Sequence, residues 1–275
     1  MIYLTRLLAA IIAITMLAPA TAAPPLLKQP AGKWLVEYAK DQCLLSRQFG
    51  SDAKPLILTL ERLPMSEEVE LHILRSTAKS DTGWGPAEVG AGGAPGSSTK
   101  YSAYTIASRP LRLINLNVPK DQFPAIVQRE TIALRVASEK LDERLALPRI
   151  AAALQALDDC VLDLGRAWGF SVAQQRAVRE GPKPNAPLAM LFSSDDYPSA
   201  AILNGEMGRV RVRIAIDPAG RPSACSMGRP SGSKLLDETT CRILMKRAHF
   251  LPAVGQDGRP VPSLYVTSIS WLLAS

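Results

Sequence analysis

Arg209-Val210-Arg211-Val212-Arg213-Ile214-Ala215-Ile216-Asp217 constrains this chain more than any other stretch. Val210, Val212, Ile214 and Ile216 fall on one side of an extended backbone; Arg209, Arg211 and Arg213 fall on the other. A period of two demands a strand with one face in a core and one polar face. Asp217-Pro218-Ala219-Gly220 supplies turn residues that fold the chain back onto a second strand over 221–227.

The flanks supply the rest of a small module. Pro198 or Ser199 can open a short helix to Leu203, and Asn204-Gly205 can stop it, since both residues tolerate positive φ. Ser233 is a candidate N-cap after Ser231-Gly232. Over 234–248, Asp237 and Glu238 lie early and Arg242, Lys246 and Arg247 lie late, which suits the helix dipole. Leu236, Thr240, Ile243, Leu244 and Ala248 share one face, with Cys241 at its edge. Pro252 stops the helix, 255–262 is a polar loop, and 264–273 is a last strand. The order helix, strand, strand, helix, strand predicts a small antiparallel sheet with helices on one face.

Five phrases recur here in a family's order: Tyr197-Pro198, Gly208-Arg209-Val210, Asp217-Pro218-Ala219-Gly220, Leu236-Asp237, and Arg247-Ala248-His249-Phe250-Leu251-Pro252-Ala253. With these, about the last third of the chain, from 195 to 273, resembles the C-terminal domain of TonB-family energy transducers. The resemblance implies a protein-binding module, not an enzyme, with no cofactor and no metal. It implies that an extended segment of an outer-membrane receptor, or of another envelope protein, adds as a strand to the final strand. The partner-binding residues would then be Leu264, Tyr265, Val266, Thr267, Ser268, Ile269 and Trp271. Residues 188–196, or a second copy in a homodimer, are the rival occupants of that edge.

The 275 residues are enough for two cores. The net charge of +7 is spread along the chain and does not call for nucleic acid. Residues 1–22 read as a secretory signal: Arg6, an apolar run from Leu7 to Leu17, then Ala20-Thr21-Ala22 as a cleavage site. The run is shorter than the ~20 residues of a spanning helix. Export to the periplasm is the expectation, with retention as an inner-membrane anchor as its rival.

Residues 31–170 are expected to form a mainly β domain of no recognised family. Candidate strands are 33–38, 43–49, 55–60, 69–74 and 111–118, with 131–139 alternating as a strand would and 122–127 as a short helix. Residues 80–100, rich in Gly, Ser and Pro, predict a mobile loop or a long hairpin tip. Gly90-Ala91-Gly92-Gly93-Ala94-Pro95-Gly96 lacks the Lys-Ser/Thr ending of a phosphate loop. Over 148–167, Ile150, Ala151, Leu154, Leu157, Val161 and Leu164 make a helical stripe behind Pro148. That helix closes the domain. Residues 181–188, with three prolines, read as a stiff linker reaching about 20 Å, and 189–275 as the second domain. The fold class is α+β.

An exported chain with four cysteines predicts two disulfides. Cys225 and Cys241 fall on the second strand and the helix of the C-terminal module, leaving Cys43 for Cys160. With no Cys-x-x-Cys pair and two histidines, the spacings do not fit structural zinc.

No nucleophile elbow occurs, and neither His72 nor His249 sits in a catalytic motif. Arg209, Arg211 and Arg213 read as a solvated face or as a surface for an anionic partner such as lipid headgroups, glycan or an acidic peptide. Trp84, in the predicted loop, is the tryptophan best placed for a ligand. An enzyme in the N-terminal domain, or a structural or stress-related protein, are the alternative functions.

Overall fold

The computed structural model describes residues 25–273 except 67, 78, 80, 93–95, 107–109 and 120. The predicted signal segment therefore lies outside the described residues.

The N-terminal part is one ten-stranded sheet. Its strands are β1 (Leu27–Lys28), β2 (Leu35–Ala39), β3 (Gln42–Gln48), β4 (Leu56–Arg62), β5 (Val69–Ser76), β6 (Gly83–Ala91), β7 (Ser97–Thr105), β8 (Leu111–Val118), β9 (Thr131–Val136) and β10 (Leu141–Ala146). The order is β1-β10-β9-β6-β7-β8-β5-β4-β3-β2, antiparallel throughout except for β1 on β10. A flat sheet would hold β10 and β2 about 40 Å apart at ~4.8 Å per strand. Instead, the carbonyl of Pro148, two residues past β10, accepts hydrogen bonds from Trp34 Nε1 and Arg47 Nη1 beside and within β2 and β3. The sheet is therefore strongly curled. Leu45, Leu58, Leu71, Ile114 and Leu134 fill one core inside it, with Ile150, Leu157 and Leu164 from α2 (Ile150–Ala167).

Of the two readings of 80–100, the structure has the hairpin. The segment carries β6 and β7, paired in the middle of the sheet. Val89, Ala87, Tyr101 and Ala103 are buried, so small and polar residues here pack a core on alternate positions. Trp84 stays 84% exposed on the outer face. The 131–139 strand stops at Val136, where Ala137–Glu139 makes a 3-10 turn. A short helix, α1 (Phe123–Arg129), precedes it. β10 went unread because Asp142, Glu143 and Arg144 interrupt its pattern, although Leu141 and Leu145 are buried.

After α3 (Val172–Ala177), the segment expected as a free linker is woven into the C-terminal part. β11 (Val178–Glu180) pairs with β16 (Ala253–Gly255), and β12 (Lys183–Pro184) pairs with β15 (Phe250–Leu251). Asn185 N–H donates to the carbonyl of His249, and Leu188 is buried in the C-terminal core. The prolines that hold the stretch extended suit it to short edge pairing.

The C-terminal part holds α4 (Ser199–Leu203), β13 (Gly208–Ile216), β14 (Pro222–Arg229), α5 (Lys234–Arg247), β17 (Pro260–Val261), paired with β16, and β18 (Ser263–Trp271). Its sheet order is β14-β13-β18, all antiparallel. Val210, Val212, Ile214 and Ile216 pack against Leu236, Ile243 and Leu244 of α5, as the alternation requires. Ser233 caps α5, its hydroxyl accepting from Leu236 N–H. Both disulfides form as the positions predict, Cys43–Cys160 and Cys225–Cys241.

The recurring phrases have structural work in this module. Arg247 forks onto Asp196 at 2.6 and 2.8 Å and also donates to the carbonyl of Leu191. Tyr197 donates its hydroxyl to the carbonyl of Glu206 and meets Trp271 edge-on at 5.1 Å. The Asp217 side chain accepts from the backbone of Ala219 and Arg221. Gly220, at φ 78°, lies so close to Phe250 that a Cβ would sit 2.0 Å from its carbonyl oxygen. Only glycine meets both demands.

Candidate functional site

β18 is an edge strand. It pairs with β13 from Gly208↔Trp271 to Ile216↔Ser263, and among the described residues its backbone bonds to no other element. Its outer N–H and C=O groups are therefore free to pair. Alternation splits the seven residues named from sequence. Tyr265, Thr267, Ile269 and Trp271 share the face of Val210, Val212 and Ile214, against α5. Leu264, Val266 and Ser268 share the face of the arginines. Leu264, Ile269 and Trp271 are buried, so these three can offer a partner little beyond backbone. Tyr265 rests against Phe250 at 5.2 Å; burial, with the charge of Glu68, pushes its hydroxyl up.

Alongside β18 runs a groove of about 270 Å³. One wall is Leu264–Ser268; residues 63–66 and Glu68 and 181–183 contribute the other. The segment at Gly181 packs closely on the carbonyl of Met65.

The arginine face is not free in solvent, contrary to the sequence expectation. It looks onto the outer face of the N-terminal sheet. Arg211 pairs with Glu61, Arg229 reaches Asp41 at 3.2 Å and Gln42 at 3.0 Å, and the Arg213 guanidinium lies 4.7 Å above the ring of Trp168. Arg209 alone of the ladder stays exposed. Sequence reading missed this because Glu61 and Arg211 are 150 residues apart.

Between the two faces lies a cleft of about 440 Å³, lined by Glu61, Glu70, His72, Asn115, Arg209 and Arg211 among others. Glu61 on β4 sits directly opposite Glu70 on β5, and His72 directly opposite Asn115 on β8. His72 is part-buried, its Nδ1 2.7 Å from Asn115 Oδ1 and its Nε2 3.1 Å from Glu61 Oε2. Burial opposes charge on this ring, but the Glu61 hydrogen bond, the Glu70 charge and Asn115 outweigh it and raise its pKa. Burial likewise opposes charge on Glu61, yet His72 and Arg211 hold its carboxyl below the ordinary range. The polar face Glu70-x-His72 was legible as alternation; its partners were not. His249 is exposed.

Residues 194–273 match the family described as Gram-negative bacterial TonB protein C-terminal. No curated protein and no solved structure matches the chain. Among the described residues, no helix is long and apolar enough to cross a membrane.

Proposed function

Because residues 194–273 belong to the TonB C-terminal family, we propose that this chain is an exported, TonB-like envelope protein that docks an extended segment of another protein by strand addition to β18. The carrying observation is the position of β18: at the sheet edge, with its outer backbone unpaired among the described residues. Strand addition draws its affinity from main-chain hydrogen bonds and needs no catalytic constellation. The groove beside Leu264–Ser268 gives the incoming strand a second wall. The partner this reading favours is the periplasmic segment of an outer-membrane receptor, in TonB-type energy-transducing transport.

The test is binding to outer-membrane receptor segments, measured by calorimetry. Val266→Pro and Thr267→Pro each remove one backbone donor, and one of the two N–H groups points outward in any antiparallel register. One variant should lose binding while remaining folded. The reading would be falsified if both folded variants bound as tightly as the parent.

A further inference from the structure

We propose that Glu61, Glu70 and His72 form a site for one divalent transition-metal ion at the floor of the cleft, independent of the docking edge. One ligand atom from each residue lies within 4.8 Å of the others. The three residues come from adjacent strands of a rigid sheet, Glu70 and His72 two residues apart on one face of β5 and Glu61 across on β4.

The geometry around His72 carries the argument. Its Nδ1 faces the carbonyl oxygen of Asn115, an acceptor, so Nδ1 carries a proton, and Nε2 is the ring atom that faces Glu61 Oε2. A ring nitrogen and a carboxylate oxygen at 3.1 Å need a positive particle between them. A proton satisfies this; so does a metal ion. Two ligand atoms each ~2.1 Å from a tetrahedral ion lie ~3.4 Å apart, a few tenths of an ångström wider than the present spacing of 3.1 Å. A ring N–H anchored on a side-chain carbonyl is also how metal-binding histidines are oriented.

Two further observations point to an occupant. Asn115 is 6% exposed, lines the same cleft, and its Nδ2 has no hydrogen-bond partner. Such a buried donor calls for an acceptor bound in the cleft. Glu61 and Glu70, meanwhile, are like charges placed directly opposite each other, an arrangement that is destabilising and that Arg211 relieves on the Glu61 side. Arg211 takes Glu61 Oε1 and leaves Oε2 to the ion. One imidazole with two carboxylates selects zinc-like ions over magnesium and calcium.

The chain makes the test clean: its cysteines are all in disulfides and it has two histidines. The full chain, with both disulfides formed, is titrated with Zn²⁺ by calorimetry, with histidine-ring ¹⁵N spectra recorded in parallel. One saturable zinc per chain is expected, with Nε2 of His72 shifting to the metal-bound range and His249 unmoved. His72→Gln and Glu70→Gln should each weaken binding at least tenfold, and Mg²⁺ and Ca²⁺ should not compete. Absence of saturable binding overturns the proposal, as does affinity unchanged in folded His72→Gln or a His72 ring that keeps a proton on Nε2 in saturating zinc. The ring spectra of the parent decide the matter even if a variant does not fold. Because the edge of β18 takes no part, loss of zinc binding and loss of strand docking are separately observable.

Discussion

Trp271 Nε1 donates to the hydroxyl of Thr240 at 2.9 Å, and that hydroxyl donates in turn to the carbonyl of Leu236 at 2.8 Å. All three atoms are buried, so the end of β18 is tied to α5 by a polar chain inside an apolar core. Thr240→Val keeps the shape and removes the acceptor. The indole N–H is then buried unpaired, at a cost of about 1–3 kcal/mol. Urea unfolding of the parent and variant measures it; an unchanged midpoint would show that the indole finds another acceptor.

Arg112 is fully buried and forks onto Glu139, Nε to Oε2 at 3.0 Å and Nη2 to Oε1 at 2.6 Å. Glu139→Leu leaves the guanidinium only the exposed Asp81 carboxylate, 3.6 Å away, and should cost about 3–5 kcal/mol. Arg112→Met together with Glu139→Leu should recover most of that loss, since the double replacement leaves no buried charge unpaired, only the more exposed Lys79 and Asp81. A double-mutant cycle in denaturant unfolding reads the coupling, and additive losses would refute it.

The Arg247 guanidinium, with the backbone N–H of Ser193, holds the Asp196 carboxyl well below the ordinary aspartate range. A depressed folded pKa contributes stability above the unfolded value, near 3.9, and loses it as pH falls toward the folded one. The melting-temperature gap between the parent and Asp196→Asn should therefore be constant from pH 7 to about 5 and shrink below about 4. A gap that widens on acidification would contradict this assignment.

β11, β12 and Leu188 belong structurally to the C-terminal core. A fragment starting at Val178 should therefore outlast one starting at Ala189. Loss of Leu188 burial alone is worth about 1.5–3 kcal/mol. Equal denaturation midpoints for the two fragments would return residues 181–188 to the role of a simple linker.

The C-terminal sheet was legible because its signals are local: alternation at 210–216, a turn at 217–220, a cap at Ser233 and a stripe on 236–248 lie within a few residues of what they control. The N-terminal hairpin was legible only as one of two readings, beside a mobile loop. Gly83, Gly85, Pro86, Gly90, Gly92 and Gly96 mark a loop by composition, and pairing with the neighbours makes strands of the segments between them: β8, next in the chain, beside β7, and β9, separated in sequence by β7, β8 and α1, beside β6. The cleft was legible least. Glu70-x-His72 shows a polar strand face, but Glu61 and Arg211 declare their pairing only after both sheets exist.

Cys43 and Cys160 are 117 residues apart, and Cys225 and Cys241 only 16. Closing a loop costs more as it lengthens, and non-local strand pairing is slow because that entropy is lost before contacts repay it. The curled sheet cannot be completed until β1 and β2 have met residues that leave the ribosome more than a hundred positions later, with their unpaired edges open to aggregation meanwhile. During oxidative refolding the Cys225–Cys241 bridge should therefore appear first and Cys43–Cys160 last, so the yield of native protein is limited by the end of the chain made first.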